Sequence, residues 1–239
     1  MINNKFNLIV IILFCLSLVE IFCQTNSQDS NIVINEFGYY EIQGLNVMMF
    51  DDFYPEGHQG GLSIIQHGTR VAANGDVRLE PTPGQWSPVP KVIDRIIDKV
   101  KGIISVKLSY PDDSKDRKGF NPIIYPDLKL NYTIRTEALG RSIKLIVDLE
   151  NPLPRQCVNK VGFNLELFPG HLFGEFYLMG EKSGVFPRQM NGPMFIDTDG
   201  NFQSVPLANG NELIISPGSP EKEIKIISQK NKLLLLDER

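Results

Sequence analysis

Short runs of apolar residues, or of alternating apolar and polar residues, recur along the chain at intervals near ten residues. Turn-forming residues separate these runs. The pattern is typical of antiparallel all-β proteins, because successive side chains of a strand point to opposite faces. We therefore predict an all-β fold, a large antiparallel β-sandwich with at most one short helix. The predicted strands lie at residues 32–34, 45–50, 62–65, 70–73, 77–79, 103–108, 128–136, 142–149, 161–168, 173–179, 194–196, 202–207, 212–215, 224–227 and 232–236.

Three turns are predicted between these strands. Polar and apolar residues alternate most clearly at 128–136 and 142–149, and Gly140 lies between them, which indicates a hairpin with one face on a core. Asn74-Gly75, followed by Asp76, predicts a tight hairpin turn, because Asn and Gly both tolerate positive φ. Asp199-Gly200 predicts another.

One stretch, Val92 to Val106, is compatible with either a helix or a strand. Its apolar residues at 92, 93, 96, 97 and 100 have roughly helical spacing, with charged residues in the gaps. Its isoleucines and valines favour a strand that leads into 103–108. Both interpretations stay open at this point.

The N-terminus has the pattern of a secretory signal. Lys5 precedes the uncharged run Phe6 to Val19, which is shorter than the roughly 20 residues that a bilayer span needs. We predict cleavage after Cys23, so that residues 1–23 are a signal peptide and the protein is secreted or periplasmic, with no membrane attachment afterwards. Acylation of Cys23 and an uncleaved anchor are the alternatives.

Residues 24–31 are polar and are predicted to be a disordered lead-in, and 32–239 a single β-sandwich domain. Only Cys157 remains after cleavage, so no intrachain disulfide can form and a packed thiol is expected. The apolar run Leu233 to Leu236 lies close to the end of the sequence. We therefore expect either a domain that is truncated at its C-terminal end or one that a partner completes.

Composition and charge exclude some classes of partner. Of the 239 residues, 42% are hydrophobic and 22% charged, and the net charge of −4 is spread along the chain. No basic stretch indicates nucleic-acid binding.

The stretch from Asp51 to Trp86 concentrates the residues that could carry chemistry. It holds two of the three histidines, the single tryptophan and many glycines and prolines. Weak catalytic candidates are Glu56, Asp76 and Glu80, since glycosidic hydrolysis needs two carboxylates. The competing interpretation is that such acids cap turns or lie in solvent.

The two histidines of this stretch are candidate metal ligands, although their spacing matches no recognised metal-binding motif. Glu56 and His58 would share one face of an extended segment, and His67 follows nine residues later. We favour hydrogen-bonded histidines in a glycine-rich corner, with His58 the better candidate for a functional imidazole and His171 a poorer one. We expect no metal and no cofactor.

Aromatic and polar side chains of the same stretch suit carbohydrate. Exposed rings stack on the C–H faces of sugars, while acids and amides bind hydroxyl groups. Rings that fill the core are the competing interpretation. The predicted substrate-binding residues are Asp52, Tyr54, Glu56, His58, Gln59 and Trp86.

Three segments resemble the N-terminal β-sandwich region of secreted bacterial glycoside hydrolases, with the family 9-type cellulase architecture the nearest. They are FYPEGHQGGLSIIQHGTRVAANGDVRLEPTPGQWSPVPK (53–91), VGFNLELFPG (161–170) and GVFPRQMNGP (184–193). The resemblance implies polysaccharide degradation outside the cytoplasm. It also implies catalytic acids in a downstream helical domain, so no catalytic residue is carried over to this chain.

These observations lead to three hypotheses. The first is an exported β-sandwich module of a carbohydrate-active enzyme, which recognises polysaccharide or oligosaccharide or supports a downstream catalytic domain. The second is a self-contained glycoside hydrolase that uses carboxylates near Glu56 and Glu80. The third is a purely structural interaction module.

Overall fold

The described part of the chain is built almost entirely of antiparallel strands, which confirms the predicted all-β fold. The computed structural model describes residues 31–51, 61–79, 90–112, 129–155, 161–189, 194–196, 198, 200 and 202–237. Its only described helix is the four-residue α1 (Pro169–Leu172). The first ten strands are β1 (Val33–Ile34), β2 (Tyr40–Ile42), β3 (Leu45–Met49), β4 (Leu62–Gln66), β5 (Thr69–Leu79), β6 (Lys91–Asp98), β7 (Ile103–Tyr110), β8 (Leu130–Leu139), β9 (Ser142–Leu149) and β10 (Val161–Leu167).

These ten strands form two sheets that enclose the larger hydrophobic core. Sheet A has the order β1-β2-β3-β4-β5-β10 and sheet B the order β6-β7-β8-β9. Buried side chains of both sheets meet in one cluster, with Met49 of sheet A and Ile104 and Ile134 of sheet B all inaccessible to solvent. Two sheets that share such a core are a β-sandwich, as the alternating pattern predicted.

The strands of the two sheets cross at a large angle. Tyr40 of β2 contacts Thr136 of β8, whereas Asp76 of β5 contacts Tyr132 of β8. From β2 to β5 is a distance of three strand spacings across sheet A, about 14 Å. Their partners on β8, Thr136 and Tyr132, are four residues apart, about 13 Å along that strand. The direction across sheet A therefore follows the strand direction of β8. The arrangement is closer to orthogonal packing than to aligned packing.

The remaining strands form smaller sheets, and two of these sheets contribute to a second core. They are β11 (Phe176–Met179), β12 (Lys182–Val185), β13 (Met194–Ile196), β14 (Phe202–Ser204), β15 (Ala208–Gly210), β16 (Glu212–Ile215), β17 (Ile224–Ile227) and β18 (Leu233–Leu235). One sheet has the order β12-β11-β16-β17, and β13-β14 and β15-β18 are two-stranded. Met179, Ala208 and Ile215 lie at the centre of this second core. The single domain predicted over 32–239 stays a prediction.

The stretch Val92 to Val106 forms strands rather than a helix. It supplies β6 and the start of β7, which pair in antiparallel register. Alternation decides the structure of β7, because Ile104, Val106 and Leu108 are fully buried while the residues between them are not. β-Branched side chains pack well on such a pleated surface.

The prediction of a hairpin turn at Asn74-Gly75 was wrong. Both residues lie inside the eleven-residue β5, where the register with β4 and with β10 shifts, which is a β-bulge. Asn74 has the positive φ that the sequence suggested, and its side-chain amide donates to Glu166 Oε2 at 2.6 Å. The turn between β4 and β5 falls instead at His67-Gly68, where both residues have positive φ.

Other predictions about strands were confirmed with small shifts. The hairpin around Gly140 joins β8 to β9, and β13 pairs with β14 on either side of the predicted Asp199-Gly200 turn. Sequence analysis missed β2, β12 and β15, each only three or four residues long. The run Leu233 to Leu236 contains β18, which pairs with β15 and alternates, with Leu235 buried and Leu234 exposed.

We expect Gly61→Ala to destabilise the protein far more than Gly68→Ala. Both glycines have positive φ, which costs alanine roughly 1–2 kcal/mol. A Cβ at Gly61 would also lie 2.6 Å from the Gly75 carbonyl oxygen in the bulge, whereas nothing lies within 4 Å of a Cβ at Gly68. Urea unfolding should therefore show an extra loss of about 2 kcal/mol for Gly61→Ala. Equal losses would contradict this account of the bulge.

Candidate functional site

The ends of the sheet B strands come together at one end of the sandwich, which we call the open end. Lys91 pairs with Ser109, and Tyr110 pairs with Leu130. The Glu150 N–H, just after β9, donates to the Asn131 carbonyl at 3.0 Å. Pro90, Asp112 and Lys129, which border the gaps 80–89 and 113–128, therefore lie next to these strand ends, near segment 150–155.

A cleft of about 340 Å³ opens between these strand ends. Its volume falls within the range of small-molecule sites. Polar and apolar residues both contribute to its lining. The lining residues are Ser109, Tyr110, Pro111, Lys129, Leu130, Asn131, Asn151, Pro152, Leu153 and Pro154.

Two local features flank the cleft. The peptide between Tyr110 and Pro111, where the chain leaves β7, is cis. On the opposite side, Glu150 pairs with Lys107 at 2.8 Å and anchors the segment that begins at Asn151. The hydrogen bond from Lys107 lowers the pKa of the Glu150 carboxyl, and the same bond raises the pKa of Lys107.

A buried carboxyl–phenol pair lies between the sheets, one residue along β8 from the cleft-lining Asn131. The Tyr132 hydroxyl donates to Asp76 Oδ1 at 2.8 Å, and the Val77 N–H donates to the same oxygen at 2.7 Å. Loss of solvation on burial raises the pKa of Asp76 to about 7, although both hydrogen bonds and the charge of Arg78 act in the other direction. Burial and the neighbouring carboxyl raise the pKa of Tyr132.

The position of Asp76 suits a contact between sheets better than a reaction with a glycan. Asp76 is 7% exposed and Tyr132 is fully buried. One carboxylate oxygen accepts two hydrogen bonds from groups inside the sandwich, and a substrate outside the core has no access to it in this conformation. The catalytic role of Asp76 stays a prediction without support from the geometry.

Most of the residues predicted to bind or cleave a glycan lie outside the described residues. This holds for Asp52, Tyr54, Glu56, His58, Gln59, Glu80 and Trp86. Described residues that border them are Asp51, whose carboxylate lies 3.6 Å from Arg95 of β6, and Phe50, whose N–H donates to the Gly61 carbonyl at 2.9 Å. Predictions for the seven residues stay predictions. Cys157 also lies outside the described residues.

The two described histidines have different surroundings. His67 lies in the β4–β5 turn, where its Nε2 is 2.8 Å from the Glu221 carbonyl oxygen and its ring packs over Gly44. This confirms a hydrogen-bonded histidine in a glycine-rich corner. His171 is an exposed residue of α1. Across the described ranges, no group of three or more histidine, cysteine, aspartate or glutamate side chains could hold a metal ion.

Sequence analysis missed the cleft. Its polar residues come from strand ends and short connections that are distant in sequence, so no spacing reveals them. One available signal was the alternation in β8, which places Tyr132 in the core and therefore Asn131 on the outside.

Comparisons of the chain with protein-family models, with curated proteins and with solved structures found no match. Within the part of the chain that the structure describes, no helix is long and apolar enough to cross a membrane.

We expect Asp76 to make the protein less stable as pH rises from about 4 to about 7. The pKa of this carboxyl is about 7 in the folded state, above its ordinary value of 3.8. Between those values the group ionises only in the unfolded chain, which increasingly favours unfolding. Asp76→Asn abolishes this titration and keeps an acceptor oxygen. Its stability relative to wild type should therefore grow across this range, by up to about 1 kcal/mol per pH unit.

Urea unfolding of both proteins at a series of pH values measures this difference. A difference that does not depend on pH would contradict the assigned ionisation of Asp76.

We expect Tyr132→Phe to cost about 1–3 kcal/mol of unfolding free energy, because it removes one of two donors to a buried carboxyl. Tyr39→Phe is the matched control, since the Tyr39 ring is only partly buried and stacks on Phe37. The control should change stability by less than about 0.5 kcal/mol. Similar losses in the two variants would show that the Tyr132 hydroxyl contributes little.

Proposed function

We propose that this chain is an exported β-sandwich module of a carbohydrate-active enzyme and that it recognises glycan. The observation that carries the proposal is the cleft at the open end of sheet B, which polar residues such as Lys129 and Asn151 line beside Pro152 and Pro154. Polar groups of this kind exchange hydrogen bonds with sugar hydroxyls, and the apolar surface suits sugar C–H faces.

A feature of the sequence supports the same proposal. The hydrophobic N-terminal run is typical of a secretory signal, and export would bring the module to extracellular polysaccharide.

We expect the purified protein to bind an oligosaccharide and two cleft substitutions to weaken that binding. Lys129→Ala and Asn151→Ala each remove a polar group from the cleft, and loss of one or two hydrogen bonds should reduce affinity roughly tenfold. Affinity electrophoresis on plant and microbial polysaccharides would identify a ligand, and calorimetry with its oligosaccharides would measure the change.

Two substitutions outside the cleft provide matched controls. Lys230→Ala and Asn231→Ala change the same residue types at exposed positions between β17 and β18. These variants should bind as wild type does. Failure of wild type to bind any polysaccharide of the panel, or equal affinity of all four variants, would overturn glycan recognition at the cleft.

The hydrolase alternative makes a separate prediction. Sugar release by the purified protein, abolished by Glu56→Gln or Glu80→Gln, would support a self-contained glycoside hydrolase, because a retaining or inverting mechanism loses its acid or base. We expect no sugar release. Asp76, the described carboxyl among the three candidates, is enclosed between the sheets and supplies no support for the hydrolase alternative.

A further inference from the structure

The outer edge of β9 is an open strand edge within the described residues. In sheet B, β9 pairs with β8 and lies at the end of the strand order. A strand edge presents a row of backbone donors and acceptors, and proteins usually protect it with charged side chains, prolines, bulges or short length.

The other described edges of the sandwich carry such protection. In β6, at the opposite edge of sheet B, the register with β7 shifts between Val92 and Asp94. In sheet A, β1 is only two residues long, and β10 contains Gly162 and a register shift. The eight residues of β9 pair with β8 in an unbroken register and contain neither proline nor glycine. Within the described residues this edge is long and unpaired, and its two charged residues, Lys144 and Asp148, have opposite signs.

The hairpin geometry defines which backbone groups of β9 point outward. Leu139 pairs with Ser142 across a two-residue turn, so these residues exchange hydrogen bonds. Hydrogen-bonded pairs alternate along an antiparallel ladder. The even-numbered residues of β9 therefore bond to β8, and the Glu150 N–H continues that series. The outward-directed amides and carbonyls belong to Ile143, Leu145, Val147 and Leu149.

The side chains of β9 are complementary to a second copy of the same strand. In an antiparallel pair centred on Ile146, Lys144 of each copy lies opposite Asp148 of the other. The same register places Leu145 opposite Val147 and Ile143 opposite Leu149, on the face that continues into the core. Opposite charges and apolar pairs both stabilise cross-strand neighbours.

Neighbouring registers fit less well. A centre at Leu145 places Lys144 opposite Ile146. A centre at Val147 places Asp148 opposite Ile146, and it places Lys144 opposite Glu150, whose carboxylate already pairs with Lys107. The centre at Ile146 pairs seven of the eight residues of β9 with one another. It satisfies every outward backbone group and covers Leu149, which is 39% exposed in the single chain.

We propose that two copies of this protein associate through β9 in a two-fold antiparallel pair that joins two B sheets into one of eight strands. Such an interface is isologous, because the same residues serve on both sides. It is small, so association is expected in the micromolar range. The inference does not depend on glycan binding.

Charge reversal tests the register directly. Lys144→Asp places aspartate opposite Asp148 at two positions of the dimer, and Asp148→Lys places lysine opposite Lys144. Each single variant should weaken dimerisation at least tenfold, about 1.4 kcal/mol. The double variant Lys144→Asp/Asp148→Lys restores opposite charges and should return to within a few-fold of wild type. Sedimentation velocity over a wide range of concentration measures all four proteins.

Val147→Pro provides a second test that spares the β8–β9 ladder. The Val147 N–H points outward, so proline removes a donor to the second copy and leaves the hairpin bonds intact. This variant should be a monomer with a far-ultraviolet spectrum like that of wild type. A wild-type protein that sediments as a monomer at every concentration would overturn the inference. So would a dimer that neither the charge reversals nor Val147→Pro weakens.

Discussion

Polar groups that are buried between two sheets need hydrogen-bond partners within the core. In this sandwich, the hydroxyl groups of two tyrosines form those hydrogen bonds. Tyr132 of sheet B donates to Asp76 of sheet A. In return, the Tyr40 hydroxyl of sheet A lies 3.0 Å from Thr136 Oγ1 and 3.1 Å from the Gly102 carbonyl oxygen of the sheet B side. An unpartnered hydroxyl or carboxyl would cost a few kcal/mol at these positions. The two contacts therefore select the crossed orientation in which both are made.

The bulge in β5 makes one of those contacts possible. An additional residue at Asn74-Gly75 shifts the register, and beyond the bulge the Asp76 side chain is directed into the core. Glu166 of β10 holds the bulge from the neighbouring strand by accepting from Asn74 and pairing with Arg78. The buried carboxyl is thus a result of strand geometry, and its raised pKa follows from loss of solvation.

The cleft and the β9 edge are separate surfaces of the same sheet. The cleft lies at the open end, where side chains from strand ends and from segment 150–155 converge. The edge lies along the side, where backbone groups face outward. One surface suits small hydroxylated molecules and the other suits a strand, because the first offers side-chain amides and ammonium groups while the second offers a ladder of peptide groups.

The sequence alone determined the fold class and most strand positions. Alternation with a period of two requires local residues only, which is why β9 was predicted at its observed bounds and β8 within three residues of them. Short strands such as β2 were missed, because three residues carry too little pattern. Val92 to Val106 stayed ambiguous until the pairing of β6 with β7 settled it.

The tertiary structure alone decided three further features. Asn74-Gly75 has the turn conformation that its residues favour, yet partners on both sides keep it inside a strand as a bulge. The burial of Asp76 depends on Tyr132, which is 56 residues away. The cleft depends on connections that meet only when sheet B has formed. Local pattern specifies a strand and its two faces, but distances between residues far apart in sequence arise only when the sheets pack.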